Sequence, residues 1–351
     1  MKLIMDRITK WFDGEFKSET LPRECEFSSS TANDAKSLQI WPPTYEPSWY
    51  YYQQHQANYW SASEHDPMDD FNGFVQLDRG WQNALLHSFA ILAIGDDKIM
   101  TMIDASVLQW EESTKWLFAD QAARETIHKI VYNKMLQLAR GAQDLTVDDL
   151  TSDRYGDYIM SSHTLDYSHF DDKVYFLTTM IFCERYLFAA PFLIINLMGE
   201  SGLLNTCVKI NMQVMKDEHV HYMHAVQLLK DLPIATEKTH VVDFLARHFQ
   251  YLVEKMVAKM CHHLDDQYLR GILDHTRFTL RTIFVDVGVP VPQRLENYTS
   301  TPFSVFDKNI GEDKFNLMES NSTVYKAQRS IFVPDWKTFD KKLQDKNHHK
   351  N

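Results

Sequence analysis

The stretch FADQAARETIHKIVY, residues 118–132, carries an acid, an imidazole and a phenol on one face of a predicted helix. Glu125, His128 and Tyr132 follow one another at intervals of three and four residues, and residues at these intervals share a helix face. Burial of an unpaired carboxylate costs on the order of several kcal/mol, so this acid needs a partner. A metal ion is one candidate for that partner.

The same Glu-x-x-His spacing occurs twice more. Glu218 and His221 lie in a second long apolar segment, whereas Glu237 and His240 lie in a polar stretch just after Pro233. Two pairs on separate helices could flank a two-metal site, because each pair sets a carboxylate and an imidazole one turn apart. The third pair serves as an internal control, for which we expect a solvent-exposed turn.

Two further acids lie in strongly apolar helical segments. They are Asp97 in AILAIGDDKIM and Glu184 in IFCERYLFAAPFLIINL, and taken singly each could be a buried acid that an arginine or the backbone satisfies. Taken together, the order acid, Glu-x-x-His, acid, Glu-x-x-His is the pattern of ferritin-like di-iron bundles. Carboxylates and imidazoles without thiolates favour iron or manganese over structural zinc.

The chain as a whole predicts an all-α fold. Of its 351 residues 44% are hydrophobic, and from about residue 49 to 288 they follow helical periodicity without a run of alternating strands. We expect the main helices at roughly 79–110, 112–140, 171–198 and 204–230. The predicted divisions are an N-terminal extension over 1–44, a helical domain over 45–300 and a C-terminal segment over 301–351.

Composition narrows the choice of partner and compartment. The net charge is −12, from 36 basic and 48 acidic side chains, without a long basic stretch, which argues against nucleic acid as a direct partner. Four cysteines without CxxC spacing and an N-terminus without the apolar run of a secretory signal predict a cytoplasmic protein. The longest apolar run, LFAAPFLIINLM at 187–198, is too short to cross a bilayer and predicts a core helix, so we expect no membrane partner.

These motifs resemble the small, radical-generating subunit of class I ribonucleotide reductase over about residues 45–327. YYYQQHQANYWSASEHDPMDDF is similar to the aromatic stretch that precedes the family's helical bundle, and it contains Trp60. DDKIM resembles the family's Asp-Gly-Ile-Val segment, a match that selects Asp97 rather than Asp96. ETIHKIVY, ERYLFAAPF and VMKDEHVH resemble the remaining ligand helices, and STVYKAQ resembles the segment after the bundle.

The resemblance implies two bound iron ions, with a manganese-iron version possible, and a radical on Tyr132. The implied metal ligands are Asp97, Glu125, His128, Glu184, Glu218 and His221. The implied radical pocket consists of Phe188, Phe192 and Val214. Radical transfer is implied through Asp217, which links His128 to Trp60, and onward to Tyr325. A homodimer and a large-subunit partner that reduces ribonucleotides are implied as well.

The sequence departs from the family pattern at several places. Arg185 and Tyr186 stand where small or apolar residues are usual, and Lys98 replaces a glycine. After Tyr325 the segment SIFVPDWKTFDKKLQDKNHHKN is longer than the family's short acidic tail, and it ends in basic residues. Two other functions remain open, a related di-metal oxidase and a non-catalytic subunit that stores metal or has a structural role.

Overall fold

The structure, a computed structural model, describes residues 42–106, 108–143, 172–232 and 235–303. These residues lie in one compact unit, and they contain helices and no strand. We number the α-helices in chain order: α1 Glu46–Ala57, α2 Phe71–Gln76, α3 Arg79–Ala105, α4 Glu112–Gln143, α5 Lys173–Ile181, α6 Ala189–Ser201, α7 Asn205–Asp231, α8 Ala235–Met260 and α9 Asp266–Asp286. The predicted all-α fold is confirmed.

Short polar side chains and a glycine set the ends of the helices that surround the core. Asp78 accepts a hydrogen bond from the Trp81 backbone N–H at 3.0 Å at the start of α3, and Asp172 caps α5 in the same way through Val174 N–H at 2.7 Å. Helix α6 ends at Gly202, whose φ of 68° is a left-handed conformation that glycine adopts without strain. The sequence therefore specifies these boundaries locally.

The helices form a bundle around one core. Helix α3 runs along α4 and also packs against α6, while α7 packs against α5 and α6. Helix α1 lies against α4 and α7, and α8 and α9 cover the α5 and α6 side. Four helical segments, namely α3, α4, the α5–α6 segment and α7, thus enclose the space into which the candidate ligands project.

Helices α5 and α6 are joined by a π-helical turn, Phe182–Leu187. The continuous helical stretch Lys173–Ser201 is 29 residues long and is apolar enough to cross a membrane by length and composition, but 89% of its most apolar window is buried within this fold. That is the pattern of a core helix. Pro191 has no N–H for the Leu187 carbonyl, which helps explain why regular hydrogen bonding stops here.

One predicted helix end and one predicted turn are wrong. Helix α3 ends at Ala105 rather than near 110, and the control pair Glu237/His240 lies in the first turns of α8, not in a turn region. The first turn of α8 contributes to packing, because Lys238 is 7% exposed and its Nζ donates to the Leu229 carbonyl at 2.7 Å. His240 itself is exposed, as expected.

Candidate metal centre

Six acidic and imidazole side chains from four helical segments meet in the centre of the bundle. Each is at most 2% exposed. They are Asp96 on α3, Glu125 and His128 on α4, Glu184 in the π-helical turn, and Glu218 and His221 on α7. We call this set the carboxylate cluster.

The carboxylate cluster consists of two overlapping groups of four. One group is Asp96, Glu125, His128 and Glu218, and the other is Glu125, Glu184, Glu218 and His221. Within each group, one potential ligand atom of every residue lies within 4.8 Å of those of the others. Because Glu125 and Glu218 belong to both groups, the arrangement has room for two ions joined by two shared carboxylates.

Asp97, the expected ligand on α3, does not belong to either group. Its side chain is 47% exposed and forms an ion pair with Lys129 on α4, whereas Asp96 is fully buried. Adjacent residues on an α-helix point about 100° apart, so only one of the two can face the core. The expectation for Asp97 is therefore corrected to Asp96.

Several carboxylate oxygens of the carboxylate cluster lack a hydrogen-bond partner among the described residues. Neither oxygen of Asp96 nor Oε2 of Glu184 has a hydrogen-bond partner in the part of the chain that the structure describes. Burial and the neighbouring charge of Glu125 raise the pKa of Asp96. Burial and the charge of Glu218 likewise raise the pKa of Glu184. Buried oxygens without partners are what a bound cation would satisfy, so these residues fit a metal pair.

The two histidines face this cluster with their Nδ1 atoms. His128 Nδ1 lies 2.9 Å from Glu218 Oε1 and 3.2 Å from Glu125 Oε2, and His221 Nδ1 lies 3.2 Å from Glu125 Oε1. Burial alone would lower the pKa of both rings, but the surrounding carboxylates outweigh it and raise the pKa. Both Nδ1 atoms occupy positions from which a neutral imidazole could bind a cation.

The Nε2 atoms of the same histidines point away, to partners outside the carboxylate cluster. His128 Nε2 lies 3.2 Å from Asp217 Oδ2. His221 Nε2 lies 3.0 Å from His55 Nε2, and His55 Nδ1 lies 2.7 Å from Asp120. Such outer partners orient a ligand imidazole and select its tautomer.

Trp60 is connected to this cluster through Asp217. Its indole Nε1–H donates to Asp217 Oδ2 at 2.7 Å, and its ring is stacked on the His128 ring with 6.0 Å between centroids. Asn58 donates to the other oxygen of Asp217 at 2.7 Å. Burial would raise the pKa of Asp217, but the hydrogen bond and the charge of His128 outweigh burial and lower the pKa.

Tyr132 is fully buried on the same helix as Glu125 and His128. Its hydroxyl donates to Asn211 Oδ1 on α7 at 3.0 Å. Burial raises the pKa of Tyr132 well above its usual value, and the charges of Asp96, Glu218 and Glu125 raise it further. The phenol is therefore held in its neutral, protonated form.

The expected pocket residues are also core residues. Phe188 and Val214 are 0% exposed and Phe192 is 6% exposed, and the rings of Phe188 and Phe192 meet edge to face at 5.6 Å. Arg185 lies outside the carboxylate cluster, with its guanidinium 5.7 Å from the Tyr222 ring. Tyr325 lies outside the described residues.

A family model supports this reading of the helices. The model of the ribonucleotide reductase small chain matches residues 37–277, which span every residue of the carboxylate cluster. The chain belongs to the ribonucleotide reductase small chain family.

A sequence relative and two solved structures are similar to this chain. A ribonucleoside-diphosphate reductase small chain of Plasmodium falciparum is 25% identical over 99 residues, a match that spans 28% of each chain. A Bacillus halodurans protein described as a class I ribonucleotide reductase is 15% identical, with a TM-score of 0.63 over 75% of this chain and 99% of that one. A dimanganese(II) NrdF of Streptococcus sanguinis is 13% identical, with a TM-score of 0.62 over 73% of this chain and 96% of that one. At these identities the structures show a shared fold.

For this family member, sequence reasoning missed several residues around the site. Gln121 donates to Glu184, and His55 and Asp120 back His221. Gln121 and Asp120 stand four and five residues before Glu125, so the helix period could have indicated Gln121. Nothing in the sequence pointed to Asn211 or His55, since both lie in segments that meet their partners only in the fold.

Proposed function

We propose that this chain is the radical-generating small subunit of a class I ribonucleotide reductase and that the carboxylate cluster holds two iron ions. The observation that carries the proposal is the pair of overlapping four-residue groups sharing Glu125 and Glu218, with Tyr132 on the same helix. A pair of manganese ions or a mixed pair fits the same ligands. The similarity to the dimanganese(II) NrdF of Streptococcus sanguinis supports the manganese pair as an alternative.

In this proposal each of the two groups of four residues would bind one of the two ions. Asp96 and His128 serve one ion, Glu184 and His221 serve the other, and Glu125 and Glu218 are shared. The four carboxylates balance the four positive charges of two divalent ions. That balance removes the cost of leaving several buried acids without counter-charge.

When bound and exposed to dioxygen, the metal pair would supply the oxidising equivalents. Tyr132 would be the residue oxidised, because it is fully buried and the charges of Asp96, Glu218 and Glu125 act on its phenol; its hydroxyl proton would leave together with the electron. The remaining phenoxyl radical would be protected by burial, because Tyr132, Phe188 and Val214 are all 0% exposed. Reductants in solution would have no direct access to it.

The connection from Trp60 through Asp217 to His128 gives the radical an exit route. Asp217 accepts from both Trp60 Nε1 and His128 Nε2, so an electron can pass from Trp60 toward the cluster while the shared protons stay in place. We propose that Tyr325 continues this route to a large subunit that reduces ribonucleoside diphosphates. A homodimeric, cytoplasmic small subunit that acts only with this partner completes the proposal.

The test is anaerobic loading with ferrous ion, then dioxygen, followed by optical absorption and electron paramagnetic resonance. We expect two ions per chain and an organic radical signal that Tyr132→Phe removes while metal content and oxygen consumption stay normal. A parallel sample loaded with manganese distinguishes the metal versions. Two bound ions with no radical under either loading would favour the di-metal oxidase, and an undiminished radical in Tyr132→Phe would place the radical elsewhere.

A further inference from the structure

A chain of buried amides lies against the Tyr132 hydroxyl. The hydroxyl donates to Asn211 Oδ1 at 3.0 Å, Asn211 Nδ2 donates to Asn196 Oδ1 at 2.8 Å, and Asn196 Nδ2 donates to Met215 Sδ at 3.0 Å. Tyr132 and Asn211 are 0% exposed and Asn196 is 4% exposed. The chain starts on α4, crosses to α7 and reaches α6.

Every hydrogen bond in this chain points in one direction, away from the phenol. Asn211 is further held because its Nδ2 also donates to the Phe192 carbonyl at 3.3 Å. The chain ends on a thioether sulfur, which is a weak acceptor. With the amides in this orientation, Asn211 presents an acceptor to Tyr132, which stabilises the protonated phenol.

Loss of the proton and electron from Tyr132 changes its phenol oxygen from a hydrogen-bond donor into an acceptor. The oxidised oxygen has no hydrogen and can only accept, yet it faces Asn211 Oδ1, which is also an acceptor. An amide oxygen is too weak a base to keep the proton. The proton would instead pass to the buried carboxylates whose charges act on Tyr132, with Asp96 first among them, and the electron would pass to the oxidant that bound metal and dioxygen supply. Two acceptors in contact within a dry core repel each other.

Rotation of both amides by about 180° places a donor against the phenoxyl oxygen. Asn211 Nδ2 would then donate to the phenoxyl oxygen, Asn211 Oδ1 would accept from Asn196 Nδ2, and Asn196 Oδ1 would face Met215. The rotation gives up the weak contacts of both amides with Met215 Sδ, 3.0 Å from Asn196 Nδ2 and 3.6 Å from Asn211 Nδ2. It also turns Asn211 Oδ1 toward the Phe192 carbonyl, but the position that this oxygen takes lies 3.3 Å from that carbonyl, farther than the 3.0 Å contact with the phenol oxygen that is relieved. The stronger link between the two amides is kept, with its direction reversed.

We propose that Asn211 and Asn196 form a two-state amide relay that donates a hydrogen bond to the Tyr132 radical and accepts one from the Tyr132 phenol. Asn211 is thus a positioning residue for the radical, and Asn196 sets the direction in which Asn211 points. The inference rests on the proposed function, because it requires Tyr132 to be oxidised.

The test uses the full-length protein after metal loading and oxygen exposure, with asparagine labelled with nitrogen-15 and the solvent exchanged to deuterium oxide. Electron-nuclear double resonance on the wild-type radical is expected to show one exchangeable deuteron and one asparagine nitrogen coupled to the phenoxyl oxygen. This measurement needs no variant. If a wild-type sample forms the radical but shows neither the deuteron coupling nor the nitrogen coupling, the relay is wrong, while the proposed function is unaffected.

Variants then assign the couplings. Asn211→Leu is expected to lose both couplings, to raise the largest g value of the radical, and to shorten its half-life by about 2- to 10-fold, as loss of an ordinary hydrogen bond would. Asn133→Leu is the matched control, since Asn133 is the exposed neighbour of Tyr132 and its Nδ2 donates to the Lys129 carbonyl. Couplings that persist in Asn211→Leu, or that vanish equally in Asn133→Leu, contradict the assignment.

Failure of the underlying function has a different signature. If the wild-type protein binds metal and consumes oxygen without forming a tyrosyl radical, the proposed function fails first. Asn211→Ser covers the case in which Asn211→Leu does not fold. Asn211→Ser also removes the labelled asparagine nitrogen, although its side chain is shorter and keeps a hydroxyl. The nitrogen coupling is therefore expected to disappear in this variant as well.

Discussion

At the scale of single residues, the charge of the carboxylate cluster is the feature with the largest consequences. Four acids and two imidazoles are buried together, and in the absence of a cation protons must take the place of positive charge. Burial and the charges of neighbouring carboxylates accordingly raise the pKa of Asp96 and that of Glu184. Metal and protons therefore compete for the same oxygens.

The neighbours Asp96 and Asp97 offer a matched pair of substitutions. Asp96→Asn should weaken binding of one of the two ions by at least about 10-fold, since the change removes a charged ligand oxygen. Asp97→Asn should leave both ions bound, because this side chain pairs with Lys129 at the surface. Equilibrium dialysis against manganese(II) measures the stoichiometry and affinity. Loss of an ion in Asp97→Asn alone would restore the original assignment.

The paired histidines give a second residue-scale prediction. Manganese(II) binding should raise the thermal midpoint of unfolding of the wild-type protein, because an ion that binds the folded state stabilises it by about 2.7 kcal/mol at 100 times the dissociation constant. His221→Ala should reduce this shift, whereas His240→Ala, at the exposed start of α8, should leave it unchanged. Calorimetry with and without the ion is the measurement, and equal shifts in all three proteins would count against a site at His221.

At the scale of elements, a change of helix type and a close contact position the site. Glu184 lies in the π-helical turn Phe182–Leu187 rather than in a regular helix, and such turns often occur at functional sites because they redirect a side chain. On the opposite side, α3 approaches α6 at Gly95. A Cβ atom there would lie 2.3 Å from Phe188 Cε1, so the glycine permits the contact between the helix of Asp96 and an expected pocket residue.

Gly95→Ala should therefore lower the free energy of unfolding by about 1–3 kcal/mol, the usual range for overpacking. Gly141→Ala is the control, because its nearest neighbour is Phe71 Cε2 at 4.0 Å and alanine in a helix is favoured over glycine by up to about 1 kcal/mol. Urea denaturation of the two variants beside wild type is the measurement. A Gly95→Ala protein as stable as Gly141→Ala would show that Phe188 moves aside without cost.

At the scale of the whole molecule, the bundle packs α4 against α1, α3 and α7. The carboxylate cluster, Tyr132 and the link from His128 to Trp60 all involve α4. Oxidation of Tyr132 and its later reduction through Trp60 would thus depend on the same helix. The partner surface predicted for the C-terminal tail lies outside the described residues.

Truncation after Ala327 should preserve the metal pair and the Tyr132 radical but abolish binding to the large subunit, since it removes Phe332, Trp336 and Phe339 as aromatic anchors. Tyr325→Phe should keep binding and lose turnover, because only a redox-active hydroxyl is removed. A pull-down and a turnover assay on both proteins check this. Normal binding by the truncated protein would mean that the tail is not the docking element.

The sequence by itself determined the helical class, the Glu-x-x-His pairs on α4 and α7, and the alignment of Tyr132 with the first pair. These features are local, because the spacing of residues along a helix decides which side chains share a face. The same periodicity indicated Glu184 as an acid in a core helix. It could not show that this acid lies in a π-helical turn.

Only the tertiary structure decided between Asp96 and Asp97, which are adjacent in one apolar helix. The packing of α3 against α4 and α6 turned Asp96 inward and left Asp97 beside Lys129. His55 and Asn211 became neighbours of the site in the same way, through contacts between segments 166 residues apart for His55 and His221 and 79 residues apart for Asn211 and Tyr132. Helical periodicity predicts which side chains share a face of one helix. It does not predict which polar side chain on another helix will be the partner, because the distance and direction between helices are set only when they pack.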